Sequence, residues 1–442
     1  MAEARSMHND KESPYTLTLL DSGLTLQVLQ FSGRESLNQP YRFEIEVIGL
    51  APAMNLEQLL QQPAFLSLRG DSGIHGILHS ASREHRGPHR IGYHLVLVPW
   101  LQQLDRHPCR RVFHQLDAPA ILRQLLSENA IAEDSFRFEL PNGRYAVRPF
   151  CIQFDETDLA FLQRLCEEEG IHYHFEHQHD GHVLVLADDS LSFPQEPLLM
   201  PFHGETAAPA SVPVITELFQ RHASPAPQQL QREQSSRRSL ERLRCRHRQI
   251  QGQSNHSDLR GGCIVQVSEH PIANFNDQWL LTEIRHQGRQ PSILAEDTAD
   301  KLRRYSNQFS AIPWSTVFRP ALTQARPSIP GYQKARVLGA VGQPAVLDAQ
   351  GRIEVRLWPT AQADDKESTG LWLPVALAAP DGRIDPSRLP LAGTDVLISF
   401  LDSDPDRPVL CSAASNPPAP RPTRQPRSDG LLLLDWLVNR RD

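Results

Sequence analysis

Proline restricts this chain more than any other residue. It occupies 36 of 442 positions, against about 5% in ordinary proteins. Each proline fixes φ and removes a backbone donor, which ends helices early and confines strands to edges, turns and short runs. A chain of this length predicts two to four domains at roughly 100–200 residues each. Hydrophobic residues at 40% and charged residues at 22% are enough for each domain to bury a core, so global disorder is excluded. Together these features predict several small β-rich domains.

The local pattern agrees. Alternating apolar and polar residues, the period of a half-buried strand, run through 15–20, 26–31, 41–47, 64–68 and 92–98. Turn residues at 70–73 and 86–88 separate them, and one short helix is expected at 56–61. This is a β-barrel or sandwich signal. Residues 105–200 change character. Asp117 is placed to cap a helix with Ile121, Leu122, Leu125 and Leu126 on one stripe. Thr157 or Asp158 caps a second, with Leu159, Leu162, Leu165 and Cys166 inward and Gly170 as its C-cap. A hairpin over 171–177 and 182–187 turns at Asp180-Gly181. Segment 222–251 holds seven arginines between Arg232 and Arg248. It is read as a solvated strand or linker in preference to a phosphate patch. Strand pattern returns at 263–267 and 278–284. After a proline-rich connector at 313–330, five strands (334–339, 351–357, 370–377, 395–401 and 408–413) fit an OB-type barrel.

Chemistry is sparse. His172, His174, His177, His179 and His182 invite a metal reading, but no cysteine pair or HExxH helix accompanies them. They are expected on strand and turn surfaces. Asp402-Ser-Asp404-Pro-Asp406 opens like a calcium loop, yet Arg407 and Ala413 stand where that loop wants glycine and glutamate. Asp155, Glu156, Glu167, Glu168 and Glu169 could in principle form an acid/base pair, but the three successive glutamates at a helix end read as a solvated face. No GxSxG, Walker A, GxGxxG or SxxK occurs. No catalytic residue, cofactor or metal is expected. The formal net charge of -7 disfavours a nucleic-acid binder. The polar start carries no signal-peptide core, and the longest apolar stretch, 371–380, is too short to span a bilayer. Six scattered cysteines fit a reducing, cytoplasmic setting.

One run is distinctive: Pro149-Phe-Cys-Ile-Gln-Phe-Asp-Glu-Thr-Asp158, Leu159-Ala-Phe-Leu-Gln-Arg-Leu165, Glu167-Glu-Glu-Gly170 and Ile171-His-Tyr-His-Phe-Glu-His177. It closely resembles the signature of VgrG proteins. Supporting matches are Gly33-Arg-Glu-Ser-Leu37, Tyr41-Arg-Phe-Glu44, Val98-Pro-Trp-Leu101, Arg111-Val-Phe-His114, Phe318-Arg-Pro320, Ile329-Pro-Gly331, Asp348-Ala-Gln-Gly-Arg352 and Phe400-Leu-Asp-Ser-Asp-Pro-Asp-Arg-Pro408. The resemblance implies a mainly β chain with an α+β insert: a phage-hub-like double β-barrel followed by a five-stranded OB-type barrel. The expected divisions are 1–14 (flexible), 15–104 (first hub barrel), 105–202 (α+β module), 203–320 (linker and second hub barrel), 321–415 (OB-type barrel) and 416–442 (proline-rich linker and apolar segment).

The implied function is a homotrimeric type VI secretion spike that caps the contractile tail tube. Implied partners are the tail-tube protein, baseplate components, and an effector, adaptor or PAAR-type tip protein, with no nucleic acid and no stable membrane insertion. It would be made in the cytoplasm and exported through the apparatus without a signal peptide. The long β-helix needle that usually follows the barrel in this family has no counterpart after Asn416, so a short form is expected. Leu431, Leu432, Leu433, Leu434, Trp436, Leu437 and Val438 form an apolar segment expected to dock on a partner. Rival readings are the hub of a contractile phage tail, a cell-wall-degrading enzyme and an OB-fold oligonucleotide binder.

Overall fold

The computed structural model describes residues 15–50, 53–70, 72–86, 89–204, 213–223, 237–291, 304–359, 370–375 and 389–413. The chain divides into two compact units, 1–327 and 328–442.

The first unit begins with β1 (Thr16–Leu19), β2 (Leu24–Ser36), β3 (Gln39–Leu50), helix α1 (Leu56–Leu59), β4 (Pro63–Arg69), β5 (Ser72–His85) and β6 (Arg90–Val98). These six strands pair around a closed ring, β1–β2–β3–β6–β5–β4 and back to β1. Alternate residues point inward, so Leu17, Leu19, Val28, Tyr41, Phe43, Ile45, Val47 and Leu66 fill the barrel. Closure leaves no bare edge. The chain turns between Arg69 and Ser72, as expected, and the 14-residue β5 that follows was not expected as a strand. Its buried half, Gly73-Ile-His-Gly-Ile-Leu78, does not alternate, which hides it from a period-2 search.

A second barrel follows from β12 (Leu198–Pro201), β13 (Ile215–His222), β14 (Arg248–Ser254), β15 (Ile264–Ser268), β16 (Gln278–Arg289) and β17 (Arg304–Pro313). Its order is β12–β15–β16–β17–β14–β13, and one bridge between Phe202 and Ile215 nearly closes it. Trp279 sits at its centre with its indole N–H donating to the Phe275 carbonyl at 3.0 Å.

The two barrels share one sheet because β2 pairs antiparallel with β16, from Glu283 opposite Ser36 to Arg289 opposite Gln30. Glycine makes this crossing possible. A Cβ on Gly33 would lie 2.1 Å from the Phe43 ring, and one on Gly288 would lie 2.1 Å from the Phe31 ring.

Between the barrels in sequence lie β7 (Cys109–Leu116), α2 (Ala118–Glu128), β8 (Phe136–Glu139), β9 (Arg148–Glu156), α3 (Asp158–Glu169), β10 (His172–His177) and β11 (His182–Ala187). Asp117 Oδ1 accepts from the Ala120 N–H at 2.9 Å, and the Thr157 hydroxyl, rather than Asp158, caps α3. Gly170 ends α3 at φ 73°, the left-handed conformation that only glycine adopts freely. Leu122, Leu125, Phe161, Leu162 and Leu165 pack the two helices onto Tyr173 and Leu184.

Helix α4 (Arg237–His247) corrects the expected strand or linker. Its buried face is Glu241, Arg242 and Cys245. Polar partners rather than apolar residues define that face, so the run of arginines and serines around it reads as solvated. Among the described residues no helix is long and apolar enough to cross a membrane.

The second unit holds β18 (Tyr332–Val337), β19 (Arg352–Leu357), β20 (Leu371–Pro374), β21 (Asp395–Phe400) and β22 (Pro408–Ala413), ordered β20–β19–β18–β21–β22. A bridge from Val375 to Leu410 brings the two ends together. β18, β19 and β21 alternate in burial along their length, as expected. Gly351 takes φ 70° in the turn before β19, and Asp348 Oδ1 accepts the N–H groups of Gln350 and Arg352.

Candidate functional site: a clamp on the exit segment

The Glu167-Glu-Glu-Gly170 run is not a solvated face. Glu167 is 3% exposed, and its carboxylate accepts the backbone N–H groups of Thr323 (2.7 Å) and Gln324 (2.8 Å) and the Thr323 hydroxyl. Glu168 pairs with Arg148 (3.2 Å), Arg164 (3.2 Å) and Arg326 (3.1 Å). Burial opposes its ionisation, but Arg164, Arg326 and Arg148 together hold its carboxyl below the usual range. Glu169 pairs with Arg148 and Arg238, both at 2.7 Å.

The segment leaving the second barrel supplies the other half. Arg319 reaches the carbonyls of Gly170 (3.1 Å) and Asp188 (2.7 Å) and the Glu241 carboxylate (2.7 Å). Arg242 of α4 donates to the carbonyls of Pro320 (3.0 Å) and Glu167. Residues 318–326 are therefore fastened to α3 and α4 by charge-assisted hydrogen bonds, the strong kind. A buried acid run that finds backbone N–H groups and arginines is an anchoring device. Phe318-Arg-Pro320 was visible as a joint in the sequence. Its partner, some 150 positions earlier, was not, because no local pattern links them.

The histidines form a second constellation and correct the expected surface placement in part: His179 is exposed as expected and His177 is half-buried. His172, His174 and His182 are buried. His172 stacks on Phe193 at 4.6 Å, and Trp100 stacks over His182 at 6.0 Å. His182 Nε2 accepts from the backbone N–H of Trp100 at 3.2 Å, and its Nδ1 lies 2.8 Å from His75 Nδ1. A neutral His182 must then carry its proton on Nδ1 and donate to His75, which leaves the His75 proton on Nε2, an atom without a partner among the described residues. Burial pushes His75, His174 and His177 down to about 4 and His172 and His182 well below the ordinary value. These rings are neutral packing groups between β5, β10 and β11, not converging ligands. Among the described residues only Glu46, Glu84 and His94 bring three ligand atoms within 4.8 Å. There Arg86 already pairs with both carboxylates.

At the barrel crossing, Glu35 accepts from His286 Nε2 at 2.8 Å, and His286 Nδ1 meets the Tyr305 hydroxyl at 2.6 Å. Burial resists ionisation of Glu35, but the His286 hydrogen bond and the Arg260 charge hold its carboxyl well below the usual range. Next to this crossing a hollow of about 690 Å³ is lined by residues that include Arg34, Arg42, Gln253, Arg285 and His286. The calcium-like turn is closed internally by an Arg407–Asp402 pair at 2.6 Å. The apolar segment Leu431, Leu432, Leu433, Leu434, Trp436, Leu437 and Val438 lies outside the described residues, as does the proline run before it.

Comparison with known proteins identifies the family of this architecture. The phage tail baseplate hub (GPD) family matches residues 34–232 and 218–292. The chain is 37% identical to the type VI secretion system spike protein VgrG5 of Pseudomonas aeruginosa over 87% of its length and 55% of the relative's. It is 34% identical to VgrG4b of the same organism, over 94% of this chain and 58% of that one. The chain thus spans about half the length of these relatives. Among solved structures, the E. coli c3393 protein superposes with a TM-score of 0.70 at 25% identity, covering 88% of this chain and 97% of that one. That protein is described as a type VI secretion component structurally similar to the T4 tail proteins gp27 and gp5.

Proposed function

Because this chain belongs to the phage tail baseplate hub family, we propose that it is the hub and spike-base subunit of a type VI secretion system. Three copies would place six β-barrels in a ring that caps the contractile tail tube. The chain would act without catalysing a reaction, and it would leave the cell through the apparatus with its cargo. Its partners would be the tube protein, baseplate components, and an effector, adaptor or tip protein. The observation that carries this reading is the pair of barrels joined through β2 and β16, followed by an exit segment fastened to the Glu-Glu-Glu-Gly run. A hub that is fired must pass force from its barrels to whatever follows, and buried charge-assisted bonds resist sliding better than an exposed linker.

Within this reading the divisions at 15–104, 105–202, 203–320 and 321–415 are first barrel, module, second barrel and spike base, with strand β12 (Leu198–Pro201) belonging to the second barrel and 321–327 to the first unit. The segment from Leu431 to Val438 serves as a docking tag, since its large apolar side chains would each gain about 1.5–3 kcal/mol on burial. Deleting residues 428–442 should reduce partner pull-down or change the assembly mass; no change in either would remove that assignment. The function itself is tested by placing an epitope-tagged chain in a type VI-active bacterium lacking its own spike protein. Tagged chain should appear in the culture medium only when the contractile sheath is present. Retention in the cells with an active sheath would contradict the proposal.

A further inference from the structure

A cleft of about 480 Å³ lies between α4 and the turn after β17. Part of its lining is apolar: Pro313, Leu240 at 47% exposure and Val317 at 37%. A single exposed aliphatic side chain needs no explanation. Two lining one concavity, rimmed by charge, have the anatomy of an interaction site. The rim carries Arg237, Arg244 and Arg248, and Glu241 is its only acid. Three cations and one anion give a local charge of +2, in a chain of net charge -7.

Glu241 is already committed, to Arg237 at 2.9 Å and Arg319 at 2.7 Å. Arg244 has no ion pair among the described residues. Arg248 is held in place over the Trp279 ring at 4.8 Å and donates to the Asn274 carbonyl at 2.9 Å. The walls are fixed as well, since Arg242 and the Cys245 thiol tie α4 to the Pro320 and Val317 carbonyls. Cations in the last turn of α4 complement the helix dipole, but the dipole gives no reason for Leu240 and Val317 to stay uncovered beside them.

We propose that this cleft docks an acidic peptide segment of a partner protein, with an apolar side chain seated on Leu240, Val317 and Pro313 and carboxylates paired with Arg244 and its neighbours. Arginine's planar fork suits carboxylates. A nucleic acid fits less well, because no Trp, Tyr or Phe lines the cleft for base stacking and its one ring, His247, already packs edge-on against His222 at 5.5 Å. The inference rests on the cleft alone and stands apart from the hub reading.

The test is display selection of random 12-residue peptides on the immobilised full chain, counter-selected on an Arg244→Glu variant. Selected peptides are then synthesised with a fluorescein label and titrated by anisotropy. Enriched sequences should combine several Asp or Glu with a large apolar residue. Their Kd should rise about tenfold or more in Arg244→Glu and in Leu240→Asp, and stay within about twofold in Arg407→Glu on the other unit. Arg244 and Leu240 are exposed, so both variants should keep the parent melting temperature; Arg244→Gln serves as a milder second variant. No enrichment, enrichment of basic sequences, or binding indifferent to Arg244 and Leu240 would overturn the proposal.

Discussion

At the scale of single residues, the buried histidines make the clearest prediction. A histidine whose folded pKa lies below its unfolded value binds fewer protons when folded. The stability it contributes is complete above about pH 6.5 and is lost as pH falls toward about 4. Each such ring should add a slope of up to about 1.4 kcal/mol per pH unit in that window. Urea midpoints measured at pH 7, 6 and 5 should therefore fall steadily, and a flat profile would contradict the neutral-ring description. His174 sharpens the test. Among the described residues neither of its ring nitrogens has a hydrogen-bond partner, and its Nε2 is 3.9 Å from Glu176. His174→Phe should reduce the slope while leaving stability at pH 7 little changed. A second residue-scale prediction concerns the barrel crossing. A side chain at Gly288 would enter the Phe31 ring, so Gly288→Val should lower stability by about 1–3 kcal/mol or more, read by thermal melting; an unchanged melting temperature would show that β2 and β16 do not meet in this register.

At the scale of elements, the central feature is that polar side chains do the work usually done by apolar stripes. Arg319→Ala would strip a donor from the Gly170 and Asp188 carbonyls and a partner from Glu241. Breaking such a buried network costs about 3–5 kcal/mol. The exit segment should then become a protease-sensitive site around residues 318–326, and unchanged resistance would contradict the clamp. Arg319→Lys should restore only part, because one ammonium cannot reproduce the guanidinium's fork. This also explains what the sequence revealed. Helices α2 and α3, with their Asp117 and Thr157 caps and Gly170 stop, follow local rules and were legible. So were the alternating strands of the OB-type unit. Helix α4, the buried half of β5 and the glutamate run were misread, because their partners are far along the chain and their faces are polar or buried on both sides. The histidines misled for the same reason, since a ring packed on Phe193 or Trp100 looks no different in sequence from one in solvent.

At the scale of the whole molecule, the proline excess and strand patterning predicted a chain of several β-rich domains, and the motifs resembled those of VgrG proteins. The closed and nearly closed barrels, their fusion through β2 and β16, and the family match over residues 34–292 agree with that resemblance. How the two barrels join could not be read locally, because the β2–β16 pairing spans about 250 positions and rests on two glycines that only matter once the strands cross. The central claim is that the chain is a hub subunit built to assemble in threes. The most direct test is the mass of the purified full-length chain in solution, by light scattering or sedimentation at micromolar concentration. The account predicts a species of three times 49.8 kDa, about 149 kDa; a stable species at 49.8 kDa across that range would contradict it.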